Sequence, residues 1–184
     1  MDQLFYELIQ VALGTRICLS HTPSADVWGE LYAMAKKQSL VGVCFAGVHK
    51  LVNQQQEPPE MLYLTWMGMA AKIQQKNETI NRQCVEIVEQ FRKDGLEVCV
   101  LKGQGVAMLY PEHLQGLRQS GDIDIWAMPK EATKDGRIVM TAKERRGMIC
   151  DYCAKIDPHY DRKKEWYLEG CDGLCECSDS EPRV

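Results

Sequence analysis

No apolar run in this 184-residue chain reaches the length of about 20 residues that a membrane-spanning helix needs, so no membrane partner is expected. The N-terminus reads Met-Asp-Gln and lacks the basic stretch and apolar run of a secretory signal. No internal repeat is visible, which leaves repeat arrays out of consideration. An excess of basic residues is missing as well. Lys and Arg total 22 against 26 Asp and Glu, a formal net charge of -4, so bulk charge does not indicate nucleic-acid binding. Histidine is scarce, with four in the chain, and His21 and His49 stand isolated from any catalytic grouping. The expectation is a cytoplasmic protein with reduced thiols.

What is present is ordinary for a globular chain: 45% hydrophobic and 26% charged residues. The length suffices for one domain with a core, or one domain and a small module. Residues 1–92 read as helical. Leu4, Leu8, Val11 and Ala12 recur at helical spacing, and Val27, Leu31, Met34 and Ala35 repeat the pattern behind a capping Ser24. Residues 40–52 read as a buried helix, with a strand through Val41, Gly42 and Val43 as the alternative. Pro58-Pro59 closes a polar connector. A long helical pattern then runs from Glu60 to Arg92, with Leu64, Met67, Ala71, Ile80, Cys84, Ile87, Val88 and Phe91 as its apolar positions. Trp66 to Met69 reads as packing and 74–78 as a solvated face. Asp94-Gly95 stops the helix.

Glu-Val-Cys-Val-Leu at 97–101 is short, apolar and rich in β-branched residues, which predicts a buried strand. Gly103 and Gly105 let the backbone turn closely after it. A short helix is expected over 106–110, ended by Pro111. Asp122-Ile123-Asp124-Ile125-Trp126 then reads as a second strand. Residues i and i+2 share a strand face, so Asp122 and Asp124 are expected on one side and Ile123 and Ile125 on the other. Adjacent carboxylates repel and call for a cation or a solvated edge. A hard divalent cation, Mg2+ or Mn2+, takes such oxygens together with substrate phosphates. The bland alternative is an edge strand with solvent-facing aspartates.

The stretch Val-Leu-Lys-Gly-Gln-Gly-Val-Ala-Met-Leu-Tyr-Pro at 100–111, followed by Arg-Gln-Ser-Gly-Asp-Ile-Asp-Ile-Trp at 118–126, resembles the bacterial nucleotidyltransferase-like family of the DNA polymerase β superfamily. The close match covers about residues 96–128. The resemblance implies Gly103 as the turn glycine and Asp122 and Asp124 as catalytic metal ligands. Gln104 stands where the superfamily usually has serine. Lys102, Gly103, Gln104, Arg118 and Ser120 are the candidate nucleotide-binding residues. Lys102 is read as a phosphate contact or a surface lysine, and Arg118 as a phosphate ligand or a brace for its loop.

After Met128 the pattern changes. Pro129 to Ala132 offers a helix start, but a charged segment follows, and the third carboxylate of the superfamily is not legible. A divergent core and a truncated core joined to unrelated sequence both fit. The tail holds five of the nine cysteines: Cys150, Cys153, Cys171, Cys175 and Cys177. Cys150 and Cys153 have the spacing of a zinc knuckle, and Cys171 with either Cys175 or Cys177 can complete one tetrahedral Zn2+, with His159 able to replace one thiolate. Reduced, unliganded cysteines, or disulfides if the protein is exported, are the alternatives.

The expected fold class is α+β. A helical region spans 1–92. A small nucleotidyltransferase-type mixed sheet with helices spans 93–140, and a Cys-rich tail spans 141–184. The expected activity is metal-dependent transfer of a nucleoside monophosphate from a nucleoside triphosphate to an acceptor that the sequence does not name. The alternative is a non-catalytic binding protein with a degenerate core and a zinc-stabilised tail.

Overall fold

A computed structural model describes residues 2–130, 133–134 and 137–156. It is helix-rich, with small antiparallel sheets, and belongs to the α+β class. The described residues fall into two units. The first takes the chain up to Gln83 together with Lys102–Asp122. The second takes Cys84–Leu101 and the described residues from Ile123 onward.

In the first unit the helical spacing of the sequence becomes a packed core. Helix α1 (Asp2–Leu13) buries Leu4, Leu8, Val11 and Ala12. Helix α2 (Ala25–Lys37) starts at Ser24, whose Oγ accepts the Val27 N–H at 3.4 Å. Residues 40–52 resolve to helix α3 (Val41–Leu51), which is buried along most of its length. Glycine permits this. A Cβ on Gly47 would stand 2.6 Å from the Leu8 carbonyl oxygen, and one on Gly42 would stand 2.2 Å from that of Leu117. The backbones of α1 and of the 3-10 helix Glu112–Leu117 therefore approach α3 more closely than any side chain allows.

Helix α4 (Glu60–Lys93) adds Trp66 to the same core. The Trp66 indole lies edge-on to Trp28 and donates from Nε1 to the Val41 carbonyl at 2.8 Å. Leu64 and Met67, expected inside, are 44% and 42% exposed, and Met69 is at the surface too. The buried stripe of this helix passes through Trp66 and Ala70 instead, so the methionines flank it. Leu114, fully buried with Ala12 and Val43, pins the 3-10 helix to α3, a burial that stabilises by about 2 kcal/mol.

In the second unit, strands β1 (Leu96–Leu101) and β2 (Asp124–Pro129) pair antiparallel, from Leu96 opposite Pro129 to Leu101 opposite Asp124. The two predicted strands are thus neighbours in one sheet. That sheet has two strands and is antiparallel, and β3 (Thr133–Lys134) with β4 (Arg137–Ile138) forms another two-stranded one. Among the described residues neither is the expected mixed sheet. Leu96, Val98, Ile125 and Ala127 turn one sheet face to Phe91, Ile149 and Cys150. The last two residues come from helix α6 (Ala142–Ile156). Tyr152 of α6 packs edge-on against Phe91 and donates its hydroxyl to Asp94 Oδ2 at 2.7 Å. Burial and that carboxylate push the Tyr152 phenol up to about 12. The long helix ends at Gly95 (φ +85°), as the Asp-Gly pair predicts.

The turn after β1 differs from expectation. Lys102, not a glycine, takes the left-handed conformation (φ +42°). Gly103 and Gly105 are drawn into helix α5 (Lys102–Ala107), which begins four residues before the expected 106. It ends earlier too. The Leu109 and Tyr110 N–H groups bond three residues back, to Val106 and Ala107, a tight turn that leads to Pro111.

Candidate active site

The residues of the motif divide between the two units. In the first unit, Gln104 and Ser120 are both buried and their side chains bond to one another, with Gln104 Nε2 donating to Asn81 Oδ1 of α4. Arg118 Nη1 donates to Ser120 Oγ at 3.3 Å. Arg118 has no carboxylate partner among the described residues. A Cβ on Gly103 would lie 3.6 Å from both Arg118 Nη1 and the Asp122 carbonyl oxygen. That is ordinary contact, so space alone does not require glycine there. It does show that the start of α5, the Arg118 guanidinium and the Asp122 backbone lie together.

Asp122 is exposed and occupies a bend, not a strand. The expected pairing of Asp122 and Asp124 as i and i+2 on one strand face is therefore corrected. The ladder begins only at Asp124, which leaves Asp122 on the loop before it. In the second unit Asp124 is half-buried and opposite Leu101, the last residue before Lys102. Lys102 itself is exposed.

The segment before Asp122 is held by residues that sequence reasoning passed over. Asn77 of α4 is 2% exposed and donates from Nδ2 to the carbonyls of Gly116 at 2.8 Å and Arg118 at 2.6 Å. Lys76 Nζ donates to the Ser120 carbonyl at 3.0 Å. Gln119 Oε1 accepts the Val41 N–H at 3.1 Å, serving the N-terminus of α3 where Leu40 offers no side-chain cap. Residues 74–78 are thus not wholly a solvated face. The signal was legible, because Asn77 lies in helical phase with Ile73, Ile80 and Cys84, a polar residue on an apolar stripe.

Cys150 and Cys153 stand one turn apart on α6. Cys150 is buried in the second core and Cys153 is half-buried against it. Cys171, Cys175, Cys177 and His159 lie outside the described residues. Among the described residues no group of three or more His, Cys, Asp or Glu side chains is placed to hold a metal ion. None of the described helices is long and apolar enough to cross a membrane.

This fold, with a glycine-flanked helix start between a strand and an Asp-x-Asp segment, agrees with a comparison of sequence families. A family model described as uncharacterised nucleotidyltransferase matches residues 24–167, well over half of the chain, and the chain belongs to that family. The match runs far past the 96–128 stretch that carries the resemblance. It takes in the helices before it and, after Met128, α6 with Cys150 and Cys153, which favours the divergent core of the two readings left open there. Neither curated proteins nor solved structures gave a match.

Proposed function

We propose that the chain transfers a nucleoside monophosphate from a nucleoside triphosphate to an acceptor, with Asp122 and Asp124 as ligands of a magnesium or manganese ion. One observation supports the reading most. Leu101, the residue that precedes Lys102-Gly103 in the chain, pairs with Asp124 at one end of the β1–β2 ladder. The donor set suits a hard cation. Asp122 is exposed in its bend and Asp124 is half-buried at a strand start; carboxylates are the oxygen donors that such an ion takes together with triphosphate and water. The bound ion supplies neutralisation of phosphate charge and a lowered pKa for an attacking hydroxyl.

The chain's own residues supply binding and orientation. Arg118, with no carboxylate to neutralise it among the described residues, offers a fork that fits phosphate oxygens. Lys102 adds a compact charge at the turn. Gln104, in place of the superfamily's serine, is spent on Ser120 and Asn81, so it supports the loop more than it meets the nucleotide.

Calorimetry with magnesium and a non-hydrolysable triphosphate tests the reading on the parent and on Asp124→Asn. The parent should bind, and the variant should fold and bind far more weakly, since one of two charges is removed at nearly constant shape. Equal binding by both would reduce the aspartates to a solvated edge. Absence of binding in both would favour a non-catalytic interaction role for this family member.

A further inference from the structure

Asn77 belongs to none of the stretches that carry the motif, yet it holds the one that leads to Asp122. Its two partners, the Gly116 and Arg118 carbonyl oxygens, are both acceptors. Only the NH2 end of the amide can face them, so the side-chain orientation is fixed by chemistry. The other end, Oδ1, is buried and meets no donor among the described residues. A buried amide with one end unsatisfied is a poor choice for packing alone, because an apolar side chain of the same volume would carry no such penalty. The residue is explained by what its NH2 holds.

The hold has a direction. Asn77 takes the carbonyls on either side of Leu117, Lys76 takes that of Ser120, and Gln119 reaches Val41. With the Arg118 backbone fixed, its guanidinium reaches Ser120 Oγ and lies beside Gly103 at the start of α5. We infer that Asn77 is a positioning residue for Arg118. By clasping the carbonyls of Gly116 and Arg118 it sets where the guanidinium meets the triphosphate. This rests on the nucleotidyltransferase reading above, in which Arg118 is a phosphate ligand.

The experiment is a double-mutant cycle on the full chain, read by calorimetry with magnesium and a non-hydrolysable triphosphate. Asn77→Leu and Arg118→Ala should each weaken binding by about tenfold, the scale of one lost charge-assisted hydrogen bond. The double variant should be no weaker than Arg118→Ala alone, because Asn77 acts through Arg118. Val11→Ala, a cavity in the helical core, controls for lost stability and should bind like the parent at a temperature where both are folded. Where Asn77→Leu does not fold, Asn77→Asp serves the same cycle, since it keeps the shape and turns an acceptor towards the carbonyls. Independent, multiplying losses, or unaltered binding by the Asn77 variants, overturn the inference while the parent's binding leaves the functional reading standing. A parent that does not bind overturns both.

Discussion

Among the described residues Lys102 is one of three non-glycine residues with positive φ, and the one that sits in the motif. A side chain in the left-handed region costs about 1 kcal/mol, and such strain gathers where function holds it. Two variants separate the charge from the strain. Lys102→Ala removes the charge and keeps the strain, whereas Lys102→Gly removes both. Both should lose magnesium-dependent triphosphate binding to a similar extent. The glycine variant should be the more stable of the two by about 0.5–1 kcal/mol in urea titrations. A glycine variant that binds like the parent would show that the lysine charge is not used.

A second residue ties stability to pH. Glu7 is buried, accepts the Ser20 N–H at 2.8 Å and the Gln3 amide at 3.0 Å, and pairs with Arg16 at 3.4 Å. The Ser20 N–H leads in holding its carboxyl below the usual range, against burial, which acts the other way. A carboxyl lowered in the folded state stabilises fully above its unfolded value of about 4.3, and that contribution is lost as pH falls through the folded value. Urea titrations from pH 7 to pH 3 should show the parent losing stability on the acid side, and Glu7→Gln losing less. Asp94 and Glu144, also lowered by their hydrogen bonds, contribute to both proteins alike, so the difference isolates Glu7.

At the scale of elements, most helices were legible because apolar spacing and caps agree. Ser24 and Asp94-Gly95 end their helices as read. Residues 40–52 were ambiguous because a helix buried on nearly all sides has no polar face to show its period. Helix α6 was missed although its start was written in the sequence. Thr141 Oγ1 accepts the Glu144 N–H at 3.3 Å and Glu144 Oε2 accepts the Thr141 N–H at 2.7 Å, a Thr-x-x-Glu capping box hidden in a charged run. The end of α2 offers a test. Ser39 (φ +56°) fills the left-handed position, with its N–H on Lys36 and the Leu40 N–H on Ala35. Those are the bonds of a Schellman ending, where glycine is the favoured residue. Ser39→Gly should therefore stabilise by about 0.5–1 kcal/mol and raise the melting temperature by about 1–4 °C in a thermal scan. A lower melting temperature would mean that the serine side chain contributes more than its backbone costs.

At the scale of the whole molecule, the family and the strand pair were legible because Leu-Lys-Gly and Gly-Asp-Ile-Asp are local signals. What surrounds them was not. Asn77 and Gln104 act on residues 39 and 16 positions away, and nothing local announces such a contact except the odd polar residue on an apolar stripe. The two-unit division escaped reading for the same reason. The chain leaves the first unit at Gln83, returns at Lys102 and leaves again after Asp122.

That itinerary sets an order on synthesis. A ribosome adding about 5–20 residues per second needs roughly 2–8 seconds to make the stretch from Cys84 to Asp122. Until then the nascent helices lack Leu114 for their core, the Asn77 amide has no carbonyls to hold and the Val41 N–H has no Gln119. The first unit is therefore finished late, by the same segment that brings Arg118 and Asp122. A chain released early would keep unpaired polar groups along α3 and α4, a mark by which chaperones and proteases can tell unfinished copies from those that carry the candidate site.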